Sequence, residues 1–274
     1  MISELKKFLH KHAEENLISW QVHQHAAKKF NCTIAGVENE ILSAALLPAR
    51  YQRNLHMISI AQQKQLFHSK VAVVGSGGLG GYVLEQLARL GVGRLTIIDD
   101  DVFEEHNLNR QLFATPSNLG RAKVEVAAER ISEINPAVSL SPVKKSFCAD
   151  NGFDLLQGAD CVVDAVDNVT ARLEMAKVCQ QLNIPLVHAA IAGWFGHVAT
   201  VLPGDNSLAT IYKHWQGGQG IEQQLGNPSF TPAVAAGLQA CEVCKLLIAQ
   251  GKVLRNRQLS FDLSIMEMNE IPLV

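Results

Sequence analysis

A doubly wound α/β fold with a mostly parallel sheet is what this sequence predicts, with antiparallel strands towards the C-terminus and a small helical piece ahead of it. Three observations carry the prediction. Strand-length apolar runs alternate with helical patterns from Val71 to Ile191. The first run, Val71-Ala72-Val73-Val74, leads straight into Gly75-Ser76-Gly77-Gly78-Leu79-Gly80. The second run, Leu95-Thr96-Ile97-Ile98, ends on an acid, Asp99.

The elements follow in order. Residues 1–56 read as a helical accessory domain, with helices over Ile2–Leu17, Trp20–Phe30 and Ile34–Leu46. The last two resemble a helix-turn-helix, but Ala35–Ser43 carries Glu38 and Glu40 and no Lys or Arg, which argues against DNA reading. Pro48 ends the helical piece. Arg50 and Arg53 flank Tyr51 in a stretch whose plain reading is a solvated connector. The main domain, 57–274, begins with a helix over Ile58–Leu66.

Leu79, Val83, Leu87 and Leu90 then stand at helical spacing, with Gly91 as a stop. A helix over Arg121–Ile134, strands over Val138–Val143 and Cys161–Val166, a helix over Val169–Leu182 and a strand over Pro185–Ile191 continue the alternation. These predict a sequential doubly wound sheet. His197–Leu202 adds an antiparallel strand. Residues 204–230 have little pattern, and a loop this long is usually functional or disordered. Thr231-Pro232 reads as the N-cap and first residue of a helix to Ala249, and Gln258–Leu273 supplies one or two edge strands.

Composition narrows the class. The chain has 274 residues, 47% hydrophobic and 18% charged, with a net charge of −2. Nothing there marks a nucleic-acid or anionic-membrane binder. No apolar run approaches the roughly 20 residues of a membrane span, and the N-terminus lacks a secretory apolar region, so a cytoplasmic protein is expected. Of six cysteines, Cys161 and Cys179 fall in core patterns, and Cys241 and Cys244 form one C-x-x-C inside a helix without the second pair a zinc site needs.

The glycine run has the physics of nucleotide binding, on a Rossmann-like βαβ unit. Gly75 permits a tight turn, Gly77 lets backbone approach phosphate, and Gly80 lets helix pack on strand. Phosphate would sit on the unpaired N–H groups of the helix start, and Asp99 would accept from ribose hydroxyls. Asp99-Asp100-Asp101 is a costly cluster unless it binds a cation or a hydroxyl, or stays wet. Lys123 opposes its own helix dipole, which asks for a phosphate or for full exposure. Asp167, at a strand end, is a better ligand candidate than Asp164.

Taken together, Arg50-Tyr51-x-Arg53, Gly75-x-Gly77-Gly78-Leu79-Gly80, Asp99-x-Asp101, Asn107-Leu-x-Arg110-Gln111, Gly120-x-x-Lys123 and Asp167-Asn168-x-x-x-Arg172 resemble the ThiF/MoeB/HesA family, bacterial relatives of ubiquitin-activating enzymes. The likeness runs from about Arg50 to the C-terminus. It implies ATP- and magnesium-dependent adenylation of a carboxylate, typically the C-terminal Gly-Gly of a ubiquitin-like sulfur-carrier protein. Carried over, Gly75, Gly77 and Gly78 cradle ATP and Asp99 holds its ribose. Asn107, Arg110 and Lys123 face the phosphates, and Asp167, beside Asn168, takes part in binding Mg²⁺. Arg53 resembles the arginine that reaches a partner subunit's ATP, which implies a homodimer. Asp101 and Gln111 match the motif with less defined roles.

Two departures stand out. The zinc-binding cysteine pairs of many members are missing, so zinc is not expected. No cysteine lies in 204–230, so the covalent capture many members perform there looks absent. The loop is expected instead to cover the site, with Gly217-Gly218-Gln219-Gly220 as its hinge and Ile211, Tyr212, Trp215 and Leu225 as its cover. The rival reading is an NAD-dependent oxidoreductase, which explains the glycines and Asp99 but not Arg110, Lys123 and Asp167. A nucleotide-binding scaffold without activity is the third.

Overall fold

A computed structural model describes residues 2–215, 217 and 222–273. Its N-terminal unit holds helices α1 (Ile2–Lys11), α2 (Trp20–Phe30) and α3 (Ile34–Ser43), with the short strands β1 (Leu17–Ile18) and β2 (Leu47–Pro48). Ser19 and Thr33 cap α2 and α3 through their side chains. The first and third helices are shorter than the sequence pattern suggests. Glu15, Asn16 and Ala45 adopt positive φ, which no helix tolerates, and this frees Leu17 to pair in parallel with Leu47.

The main sheet begins after α4 (Ile60–His68) and the rest of the chain builds it. In order come β3 (Lys70–Val74), α5 (Gly80–Leu90), β4 (Arg94–Ile98), α6 (Lys123–Ile134), β5 (Ser139–Val143), α7 (Ala149–Leu156), β6 (Cys161–Asp164), α8 (Val169–Leu182), β7 (Leu186–Ala192) and β8 (Phe195–Val201). Then follow α9 (Ser207–Ile211), α10 (Glu222–Leu225), α11 (Phe230–Ile248), β9 (Arg257–Asp262) and β10 (Glu267–Pro272).

The sheet runs β10-β9-β8-β7-β6-β3-β4-β5. Strands β3 to β7 are parallel, and β8, β9 and β10 join antiparallel, as expected. The strand order is not sequential, however. After β5 the chain crosses back to place β6 beside β3, which lets helices cover both faces. Helices α5, α6 and α11 pack on one face, α7 and α8 on the other. The outermost strands, β5 and β10, each carry a proline, Pro142 and Pro272, which an edge tolerates.

Three local features depart from the sequence reading or go beyond it. Helix α7 lies in a stretch to which the sequence reading assigned no element, and its Gly152 is packed so closely that a Cβ there would meet the Phe147 ring at 2.9 Å. Thr231 does not cap α11. Its hydroxyl turns inward and donates to the Gly193 carbonyl at 2.6 Å. Helix α11 itself is long and apolar enough to cross a membrane by composition, but it packs against α5, β7 and β8. Its polar residues serve the core: Gln239 donates to the Asp164 and Val187 carbonyls, and Glu242 accepts from Thr200 and from the Leu254 N–H.

The connector at Arg50–Tyr51 is no solvated linker. It lies in a short 3-10 helix, Ala49–Asn54, and Tyr51 is 1% exposed. The Tyr51 hydroxyl donates to Glu38 and accepts from Asn135, both at 2.8 Å. Arg50 pairs with Glu38 at 3.1 Å, donates to Asn135 and His23, and lies over the Trp20 ring. Glu38 is therefore not the surface acid that the pattern of α3 implies.

Candidate active site

The carboxyl ends of β3, β4 and β6 open into a cleft of about 820 Å³. It lies at the point where the strand order reverses, the usual place for a ligand in such sheets. Its floor is the turn between β3 and α5. Gly75 has φ +97°, and a Cβ there would come within 2.5 Å of the Ala165 carbonyl oxygen. A Cβ on Gly80 would overlap the Gly75 carbonyl. The strand, the turn and the end of β6 are thus pressed together, and only glycine fits at both places. A Cβ on Gly77 would meet nothing closer than Gln111 Nε2 at 3.6 Å, so that backbone lies open to the cleft.

Ten of the residues singled out in the sequence line this cleft: Gly75, Gly77, Gly78, Asp99, Asp101, Arg110, Gln111, Lys123, Asp167 and Asn168. Asp99, half-buried, accepts from the Ser76 N–H at 2.6 Å and from the Asp101 N–H at 2.8 Å. Burial raises its pKa above the ordinary range, while those two N–H groups and Lys123 pull it down. Asp100 and Asp101 stay wet, which answers the cost of three adjacent acids.

Lys123 is neither exposed nor loose. It is 5% exposed, and its Nζ donates to Asp101 Oδ2 at 2.8 Å. Arg110 donates to the His106 carbonyl and to Asn109 Oδ1, both at 2.9 Å. Asn168 caps α8 by accepting from the Ala171 N–H at 2.9 Å, and Asp167, just before it, is exposed.

Two named residues lie elsewhere. Asn107 is 3% exposed and turned inward, its side-chain oxygen accepting from the Glu104 N–H at 3.0 Å. Arg53 is exposed and outside the lining of the cleft. The cleft also gathers residues that the sequence reading passed over: Lys145, Ser146 and Phe147 after β5, and Asn227 near α11. The rule that ligands meet the carboxyl ends of parallel strands was the signal for the first three. Of the expected loop, Trp215 lines the cleft, Ile211 and Tyr212 pack towards α8, and Leu225 is 49% exposed. In the proposed Gly217–Gly220 hinge, residues 218–220 lie outside the described residues.

The site fits a nucleotide by its own chemistry. Two buried polar atoms at the cleft, Ser76 Oγ and Gln111 Oε1, lack a partner. The exposed carboxylate of Asp167 is a hard oxygen donor of the kind Mg²⁺ takes. Carboxylate oxygens of Asp99, Asp100 and Asp101 also come within 4.8 Å of one another. Asp99 and Asp101 are already engaged by backbone N–H groups and Lys123, however, so Asp167 is the less committed ligand.

Comparison with known proteins places this geometry. The ThiF family profile matches residues 51–273. The chain is 34% identical over 227 residues to the SAMP-activating enzyme E1 of Haloferax volcanii, covering 81% of this chain and 84% of that one. It is 32% identical over 225 residues to the sulfur carrier protein adenylyltransferase of Thermus thermophilus, covering 78% and 82%. Among solved structures, E. coli MccB with MccA-N7isoASN superposes with a TM-score of 0.72 at 24% identity, over 82% of this chain and 71% of that one.

Proposed function

The chain belongs to the ThiF family, and from that premise we propose that it is an ATP-dependent adenylyltransferase acting on the C-terminal Gly-Gly of a ubiquitin-like sulfur-carrier protein. The observation that carries the reading is Lys123. A cation buried in the first turn of its own helix is costly, yet here it is fixed at the wall of a glycine-floored cleft. A hydride-transferring enzyme on the same βαβ unit has no use for it, nor for Arg110 and Asp167 beside it. A silent scaffold has no need to hold three such groups in one cleft.

In this reading the Gly75–Gly78 turn receives the phosphates on backbone N–H groups, and Asp99 accepts from the ribose. The attacking carboxylate is already ionised at neutral pH, so no general base is required. Arg110 and Lys123 stabilise charge that grows on the leaving pyrophosphate as the carboxylate oxygen bonds the α-phosphorus. Mg²⁺ held at Asp167 would supply further neutralisation. Asp101 sets the position of the Lys123 ammonium. Gln111 and Asn168 complete the wall. Asn107 acts from beneath, by fixing the turn that carries Arg110.

Arg53 is exposed and outside the lining of its own cleft, and we assign it to the cleft of a second copy in a homodimer. Residues 1–56 act as an accessory unit on the catalytic domain 57–274. A cytoplasmic location accords with six free cysteines, and no zinc is assigned to Cys241 and Cys244.

The test is ATP–pyrophosphate exchange with a Gly-Gly-ending carrier protein from the same cell. Exchange that requires the carrier is expected; a thermal shift with NAD and none with ATP would overturn the reading. Mixing Arg53→Ala with Asp167→Ala chains, each nearly dead, should restore roughly a quarter of parental activity, since half the dimers are hybrids with one intact site. No recovery in verified hybrids removes the action in trans. One stoichiometric zinc per chain by metal analysis would remove the zinc-free assignment.

A further inference from the structure

A buried polar relay lies beneath the cleft, and the reaction as described does not use it. Asp164 ends β6 and His188 sits on β7; both are wholly buried. His188 Nδ1 donates to Asp164 Oδ2 at 2.6 Å. Arg172, on α8, is 8% exposed and stands 3.7 Å from the same carboxylate oxygen. One terminal nitrogen of its guanidinium donates to the Val166 carbonyl at 2.6 Å, and the other donates to the Tyr212 hydroxyl at 2.6 Å. Val166 immediately precedes Asp167. Tyr212 follows α9, in the crossover from β8 to α11.

We propose that Tyr212 and Arg172 are positioning residues, which tie docking of the crossover segment 207–215 to the placement of the Asp167 loop. This rests on the reading of Asp167 as a nucleotide-side ligand. A guanidinium is a planar, rigid fork, so acceptors on two of its nitrogens hold a fixed relation to each other. The Val166 carbonyl is one acceptor and Tyr212 the other. When Tyr212 docks, the fork is held from both sides, and the backbone leading into Asp167 is held with it. Trp215, three residues on, is brought to the cleft wall by the same docking.

Proton counting separates a latch from a strut. Asp164 Oδ2 lies opposite Arg172 and accepts from His188 Nδ1, so the neutral His188 offers a lone pair on Nε2. Two donors converge on that lone pair: His197 Nε2 at 3.1 Å and the Tyr212 hydroxyl at 3.4 Å. Burial holds both imidazoles below their ordinary pKa, so both are neutral at pH 7. Either donor alone satisfies His188. Tyr212 can therefore leave while His197 still serves His188, and its departure removes the bond it accepts from Arg172, the group that reaches the Asp167 loop. A purely structural tyrosine would be needed by the buried histidine.

The test uses the full chain with Trp20→Phe and Trp194→Phe, which leaves Trp215 as its one tryptophan. Into this go Tyr212→Phe and Arg172→Lys, the second keeping the charge but not the fork. In the ligand-free protein each should raise acrylamide quenching of Trp215. In exchange, each should raise KM for ATP by about tenfold while kcat stays within about threefold, the scale of one charged hydrogen bond. His197→Gln should leave both readouts at parental values. Parental quenching and KM in Tyr212→Phe and Arg172→Lys would overturn the proposal, as would a fall in kcat with KM unchanged. A parental chain that shows no exchange would sink the adenylation reading instead, and the quenching alone would then decide this one.

Discussion

Two regions concentrate buried charge, and they use it in opposite ways. At the junction between the N-terminal unit and the sheet, Arg50, Glu38, Tyr51, Asn135 and His23 bond to one another. At the cleft, Ser76 Oγ and Gln111 Oε1 have no partner, Arg110 bonds only locally, and Asp167 is exposed. The junction answers its charges within the chain, which is what architecture requires. The cleft leaves two buried polar atoms unmet and one carboxylate exposed, the pattern of a site that meets a ligand. The motif Arg50-Tyr51-x-Arg53 straddles this divide: its first two residues lock the fold, and the third points outward.

The sharpest break in that comparison is Lys123→Ala. Asp101 is left in water, so the fold loses little. Exchange should nevertheless fall by about 10²–10³-fold, the cost of one preorganised transition-state donor. Unchanged exchange, measured with carrier and ATP saturating, would return Lys123 to an architectural role and leave the cleft without its main cation.

The reverse experiment is Tyr51→Phe. It strips the junction of a hydroxyl shared by Glu38 and Asn135 and leaves a buried carboxylate short of a donor. Stability should drop by about 2–3 kcal/mol, read as a melting midpoint lower by roughly 5–10 °C, with exchange at 25 °C at the parental rate. Lost exchange in the folded variant would mean that the two regions are coupled.

The same divide explains what the sequence disclosed. The βαβ unit and the strand-end acids were legible because glycine spacing and apolar period are local properties. Helix α8 matches its expected span, about Val169 to Leu182; in the structure Asn168 caps it and Asn183 stops it in the left-handed conformation. The cleft's charged set was legible as a motif. The junction was not, because Arg50 meets Asn135 across 85 residues and no local pattern announces it. The relay of Asp164, His188 and Tyr212 was hidden likewise, since β6, β7 and the crossover must assemble before their side chains meet. Strand order escaped for the same reason, as pairing of β3 with β6 is a property of the assembled sheet.

A last and smaller test asks whether the junction alone answers to mild acid. His23 is fully buried, donates from Nε2 to the Ile34 carbonyl and receives Arg50 on Nδ1. Burial lowers its pKa from the ordinary 6.5 to about 4, and the neighbouring Arg50 adds to the shift while the carbonyl opposes it. Between those values the unfolded chain binds a proton that the folded chain refuses. Stability from this group is therefore complete above pH 6.5 and is lost as pH falls towards 4. Going from pH 7 to 5 should cost roughly 1–2 kcal/mol. Glu38, whose own pKa is raised by burial, faces Arg50 from α3; the folded chain takes up a proton there more readily than the unfolded one, so this group offsets part of the loss as pH falls. In His23→Gln the amide can still meet Ile34 and Arg50, yet it does not titrate. Its melting midpoint should follow a flatter curve between pH 7 and 5 than the parent's. Parallel curves for the two proteins would move the acid sensitivity away from the junction, to the other buried imidazoles at His188 and His197.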